Sequence, residues 1–151
     1  MSERGVIRNR AAAQQLRDFS GLRYGRITPT DIDAYMEFGG RLFIFVEAKF
    51  GGAALPRGQM LAMERLVDAV HMPPQRYAAA IVVGHETQGA DVDFANAVVR
   101  VWRWSGKWRQ PIERGITLRR AVNRLVAAYG TAEVFDLAVE NDRRAAAQGT
   151  Y

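Results

Sequence analysis

Residues 42–50 read Leu42-Phe43-Ile44-Phe45-Val46-Glu47-Ala48-Lys49-Phe50. Aromatic and β-branched side chains favour an extended strand. An apolar run of this length, bounded by glycines, predicts a buried one. Side chains alternate between the two faces of a strand, so Glu47 and Lys49, two apart, share a face. Ionised groups are rarely taken into a core without a partner charge or a metal ion. This strand carries two of them, and a further acidic pair, Asp31 and Asp33, lies on the segment before it.

Working outward, residues 31–38 alternate polar and apolar positions and are separated from 42–50 by Gly39-Gly40, a hairpin signal. The parity of that loop decides what can meet. A two-residue turn sets Asp33 opposite Val46 and puts the two acids on opposite sheet faces. A three-residue loop, Gly39-Gly40-Arg41, sets Phe38 opposite Leu42, Asp33 opposite Glu47 and Asp31 opposite Lys49, and directly opposed side chains share a face. Such a loop needs a left-handed residue, which glycine supplies without strain. A shared acidic site therefore requires the odd loop or an equivalent bulge.

The remaining chain predicts a helix at 6–18, a glycine-punctuated connection at 19–26, and an extended entry after Pro29. A helix at 57–70 follows Pro56, with Met60, Met63, Leu66, Val67 and Val70 at helical spacing. Tyr77 to Gly84 predicts a strand covered on both faces. Residues 97–104 predict another, ending in a turn at Ser105–Trp108, with Val99, Val101 and Arg103 on one face and Arg100, Trp102 and Trp104 on the other. Helices at 116–129 and from Thr131 to about Ala146 complete the order αββαββαα. The expected fold is α/β, a mixed sheet flanked by helices, in a single domain over 1–151.

Composition narrows the class. The chain has 151 residues, enough for one domain with a real core. Its 48% hydrophobic and 25% charged residues are those of a globular protein. It offers no apolar run of membrane-spanning length, and its start lacks the apolar centre of a signal peptide, so neither a membrane partner nor export is expected. Cysteine is absent, which excludes a disulfide scaffold and a cysteine-ligated zinc site and fits a cytoplasmic location. The net charge is +5, and apart from Lys49 and Lys107 every basic residue is arginine, the side chain best matched to phosphate. Nucleic acid is the partner this suggests.

Phosphodiester hydrolysis calls for a divalent cation, held by one or two carboxylates, and for an amine beside the attacking water. Asp33, Glu47 and Lys49 supply those groups if the hairpin converges them. The stretch Pro29-Thr30-Asp31-Ile32-Asp33, a hairpin, Glu47-Ala48-Lys49, and then a helix carrying Gln59 resembles the PD-(D/E)XK nuclease superfamily, with its restriction-endonuclease-like fold. Residues 19–70 are similar to small phage-encoded members. The resemblance implies that Asp33 and Glu47 bind magnesium (or manganese), with the Ala48 carbonyl as a further ligand and Asp31 as an additional acid. It implies that Lys49 acts on the water and that Gln59 sits near the phosphate or a metal-bound water. The implied activity is endonucleolytic cutting of DNA by metal-activated water, inside a bacterial host cell if phage-encoded, with a homodimer suited to paired cuts. One departure is that Thr30 separates the motif proline from Asp31; Asp33, entering a strand, fits the pattern better.

Other residues have other readings. Glu47 and Lys49 could be a structural ion pair, and Asp31 a turn cap. Trp102, Trp104 and Trp108, interleaved with Arg100, Arg103, Lys107 and Arg109, suggest a stacking and phosphate-contacting surface, although alternation places some of the tryptophans in the core. His71 suits a helix end, and His85 follows a core strand. The competing functions are a nucleic-acid-binding module without turnover and a phage accessory or inhibitory protein.

Overall fold

The computed structural model describes residues 9–149. The chain divides into two compact units, residues 1–31 and 32–151. In the first, Asn9 accepts a hydrogen bond from the Ala12 amide at 3.0 Å, and the helix α1 runs only from Arg10 to Ala13. The helix expected over 6–18 is therefore short; residues 6–8 lie outside the described part. Leu16 is 99% exposed, so the segment has no buried apolar face, and alanine propensity alone does not sustain an isolated helix. An isolated bridge, Tyr24 with Ile27, closes the glycine-punctuated connection.

The second unit is built on a five-stranded sheet in the order β1 (Ala34–Phe38), β2 (Leu42–Phe50), β3 (Tyr77–His85), β4 (Val98–Trp104) and β5 (Lys107–Arg109). Neighbours are antiparallel except β2 and β3, which run parallel because α2 (Arg57–Val70) carries the chain back between them. A single 3-10 turn, Phe94–Asn96, precedes β4. Helices α3 (Leu118–Tyr129) and α4 (Ala132–Ala147) follow β5, each begun by a threonine cap, Thr117 and Thr131, whose side chain accepts an amide hydrogen bond. The class is α/β with a mixed sheet flanked by helices, as expected. The additional strand β5 forms because Ser105 and Gly106 both take positive φ and turn the chain in two residues, shorter than the Ser105–Trp108 turn expected.

Strand alternation separates two apolar layers. Ile44, Val46, Ala79, Ile81 and Val83 pack with Leu125 and Val126 of α3. Phe45, Ala78 and Ala80 pack with Met63 and Val67 of α2. The odd-numbered residues of β2 thus face α2, which sets Glu47 and Lys49 on that side. Small alanines in β3 leave room for α2 to approach.

Two local devices set the geometry of the site. The hairpin loop has three residues: Phe38 pairs with Leu42, and Gly39 and Gly40 both take left-handed φ, +61° and +69°, where a side chain would be strained. The second is a bulge. Val82 pairs with Val101 and Val83 with Val99, so Arg100 is an extra residue with no partner of its own. The even alternation expected for 97–104 is corrected by it: Val99 joins Trp102 and Trp104 in the α3 layer rather than sharing a face with Val101 and Arg103. Among the described residues no helix is long and apolar enough to cross a membrane.

Candidate active site

Glu47 is the buried acid of the α2 layer, 3% exposed. Lys49 Nζ donates to its Oε1 at 2.8 Å, and Gln59 Nε2 donates to the same oxygen at 2.5 Å. Lys49 Nζ also donates to Gln59 Oε1 at 3.1 Å, which closes a three-membered ring of hydrogen bonds. The ring exists because Glu47 and Lys49 are two apart on one strand and Gln59 lies in the first turn of the helix packed over that face. Glu47 Oε2 is the exception: it is buried and has no hydrogen-bond partner. An unsatisfied buried carboxylate oxygen is costly, so it asks for a ligand.

Asp33 stands at the entrance to β1. The ladder's last pair is Ala34 with Val46, and one step further along the same register Asp33 comes opposite Glu47. Its Oδ2 accepts the Ala48 amide at 2.8 Å, standing in for the main-chain carbonyl that β1 no longer supplies there. One oxygen of Asp33 thus anchors the acid to the main chain of β2, at the residue between Glu47 and Lys49. The hairpin and α2 thus bring Glu47, Lys49 and Gln59 into hydrogen-bond contact and hold Asp33 at Ala48, where the group engaged is the amide and not the carbonyl expected as a ligand.

Asp31 is different. The ladder stops at Ala34, so the expected pairing of Asp31 with Lys49 is not made. Asp31 belongs to the first unit, where Arg17 lies 3.5 Å from its carboxylate. Among the described residues no group of three or more histidine, cysteine, aspartate or glutamate side chains gathers to hold a metal ion. Asp33 and Glu47 are two carboxylates, the number magnesium usually takes from a protein alongside water and phosphate, and the orphaned Oε2 is an oxygen donor suited to it. The donor set fits a hard divalent cation.

The basic residues read as a nucleic-acid surface divide. Arg103 is buried and committed: its Nε and Nη2 donate to Asp68 at 2.9 and 2.6 Å, and Glu64 lies 3.7 Å away. The fork–fork pairing with Asp68 holds the guanidinium pKa above its usual range and the Asp68 carboxyl below its own. Arg103 is thus withdrawn from any phosphate. Lys107 and Arg109 are exposed on β5. Trp102 and Trp104 pack on the α3 layer, and Trp108 packs on the α2 layer while donating to Glu64 at 2.7 Å. The tryptophans are therefore largely structural. His71 caps the end of α2 and accepts the Ala78 amide at Nδ1.

Arg100, expected on the face of Trp102 and Trp104, comes instead to the side of the site. The bulge frees it to lie across Gly84, the register partner of Lys49, where an added Cβ would come within 2.9 Å of Arg100 Cδ. Its Nη1 donates to the Ala53 carbonyl at 2.6 Å, which pins the loop between β2 and α2. A glycine inside an otherwise apolar strand is the one signal in the sequence that another group comes close there. No protein-family model, no curated protein and no solved structure matches this chain, so the residues and their geometry are what a function must be argued from.

Proposed function

We propose that the chain is a metal-dependent nuclease of the PD-(D/E)XK type, with a restriction-endonuclease-like fold, hydrolysing phosphodiester bonds of DNA. One observation carries the reading: Glu47, buried with an unpartnered Oε2, is held by Lys49 and Gln59 at the strand position opposite Asp33. The antiparallel hairpin followed by a helical crossover to a parallel strand supports it as the element order such a site is built on.

Asp33 and Glu47 would hold magnesium, and the ion when bound supplies charge neutralisation at the phosphate and a more acidic water. The protein's own contributions are these. Asp33, anchored at the Ala48 amide, keeps its carboxylate at the strand end without a flexible search. Gln59 fixes the Glu47 rotamer by donating to Oε1, which leaves Oε2 as the free donor atom. Lys49 sets a positive charge beside the reacting phosphate, oriented by Glu47 and Gln59.

A binding module without turnover has one observation in its favour: Oε1 of Glu47 is already satisfied by two donors, as in a structural ion pair. Plasmid cleavage separates the two. Supercoiled plasmid and single-stranded circular DNA are each incubated with magnesium, manganese or chelator, using the wild type, Asp33→Ala and Lys49→Ala. The expected result is cutting with either metal, none with chelator, and a loss of at least ~100-fold in both variants. Full activity in both variants overturns the nuclease. Metal-independent binding without cutting selects the module.

A further inference from the structure

The face that carries Glu47 continues along β1 beyond the reach of α2. Tyr35 pairs with Phe45, one alternate position from Asp33, so its ring projects on the side of the acid site about 7 Å along the strand. The ring stacks on Phe45, with centroids 5.1 Å apart and planes 22° from parallel. Phe45 is itself buried in the α2 layer, whereas no β1 residue is part of that layer. The Tyr35 ring is thus backed on one side by a rigid aromatic, and the residue is 52% exposed.

Two features select what covers it. The next residue on this face, Glu37, is exposed and acidic, so the strip beyond Asp33, along Tyr35 and Glu37, repels phosphate and favours an uncharged planar group. The positive charge lies on the other flank, at Lys49, with Arg100 across Gly84. A nucleotide chain crossing here would keep its backbone toward the cations and turn a base toward the tyrosine. In a duplex the faces of a base are covered by its neighbours in the stack, so an open ring engages an unpaired base.

Building on the nuclease reading, we propose that Tyr35, backed by Phe45, is a stacking platform for an unpaired nucleobase next to the bond to be cut, and that the substrate is single-stranded there. The test measures binding of a fluorescent short oligothymidylate and of a duplex of the same length, in chelator, by anisotropy. Wild type, Tyr35→Phe and Tyr35→Ala are compared, with thermal unfolding as a check on folding. The expected result is that Tyr35→Ala loses about 10-fold in affinity for the single strand, Tyr35→Phe retains it, and duplex binding does not change. Single-strand affinity equal to wild type in Tyr35→Ala, or an equal loss on both nucleic acids, overturns the proposal.

Cleavage assays run in parallel separate this inference from the one beneath it. A wild type that cuts while Tyr35→Ala binds single strands normally defeats the platform and leaves the nuclease. A wild type that binds single strands through Tyr35 but cuts nothing defeats the nuclease and leaves the platform.

Discussion

At the scale of single residues, Asp33 has two separable tasks. One oxygen closes the β2 ladder at Ala48, and the carboxylate charge faces the site. Asp33→Asn keeps an oxygen that can accept the Ala48 amide but removes the charge; Asp33→Ala removes both. Cleavage should therefore be lost in both variants, while urea unfolding should show a loss of about 1 kcal/mol only in the alanine variant. Equal stability of the two would deny the ladder-closing role. Asp33, Glu47 and Lys49 were legible in the sequence because strand alternation and loop parity are short-range rules, and the glycines made the odd loop accessible. Gln59 was legible only as a pattern position; its two hydrogen bonds, one donated to Glu47 and one accepted from Lys49, depend on how α2 packs. Tyr35 was not singled out, since exposure depends on where a helix stops covering a sheet.

At the scale of elements, the tie between α2 and β4 is ionic. Arg103 of β4 holds Asp68 of α2 in a two-point pair, with Glu64 and Trp108 alongside. The Arg103 hydrogen bond lowers the Asp68 pKa, so the folded state prefers the ionised carboxylate more than the unfolded chain does. That contribution is complete above the ordinary carboxylate value of about 4 and vanishes as pH falls through the lowered one. Asp68→Asn should cost about 1–2 kcal/mol at neutral pH, below the range for fully buried pairs because the Asp68 side chain is 38% exposed and solvent screens it. The difference from wild type should shrink in acid, as followed by denaturant unfolding across pH. The sequence showed Arg103 as a surface cation because its acidic partners are 35 and 39 residues away in the chain. The long helices and central strands were readable from periodicity, whereas α1 and β5 depend on packing and turn conformation that periodicity does not carry.

At the scale of the molecule, the sheet divides its labour: the α3 layer is apolar throughout, and the α2 layer trades part of its apolar content for the acid, amine and amide of the site. The surplus of arginine gives the whole chain a charge of +5. If three phosphates are contacted, affinity for DNA should fall about 40-fold between roughly 50 and 200 mM salt, read from a binding titration at each salt. Affinity indifferent to salt would point instead to a protein partner. The bulge in β4 carries a last consequence. With Arg100 present, the chain steps out of phase once, and Val99 turns inward beside Val83. Excising that one residue would leave Val101 opposite Val82, Val99 opposite Val83 and Val98 opposite Gly84, the same pairs in an unbroken ladder. The inward set of β4 should therefore survive deletion of Arg100, and what excision removes is the local bend and the side chain that spans Gly84 to reach the Ala53 carbonyl.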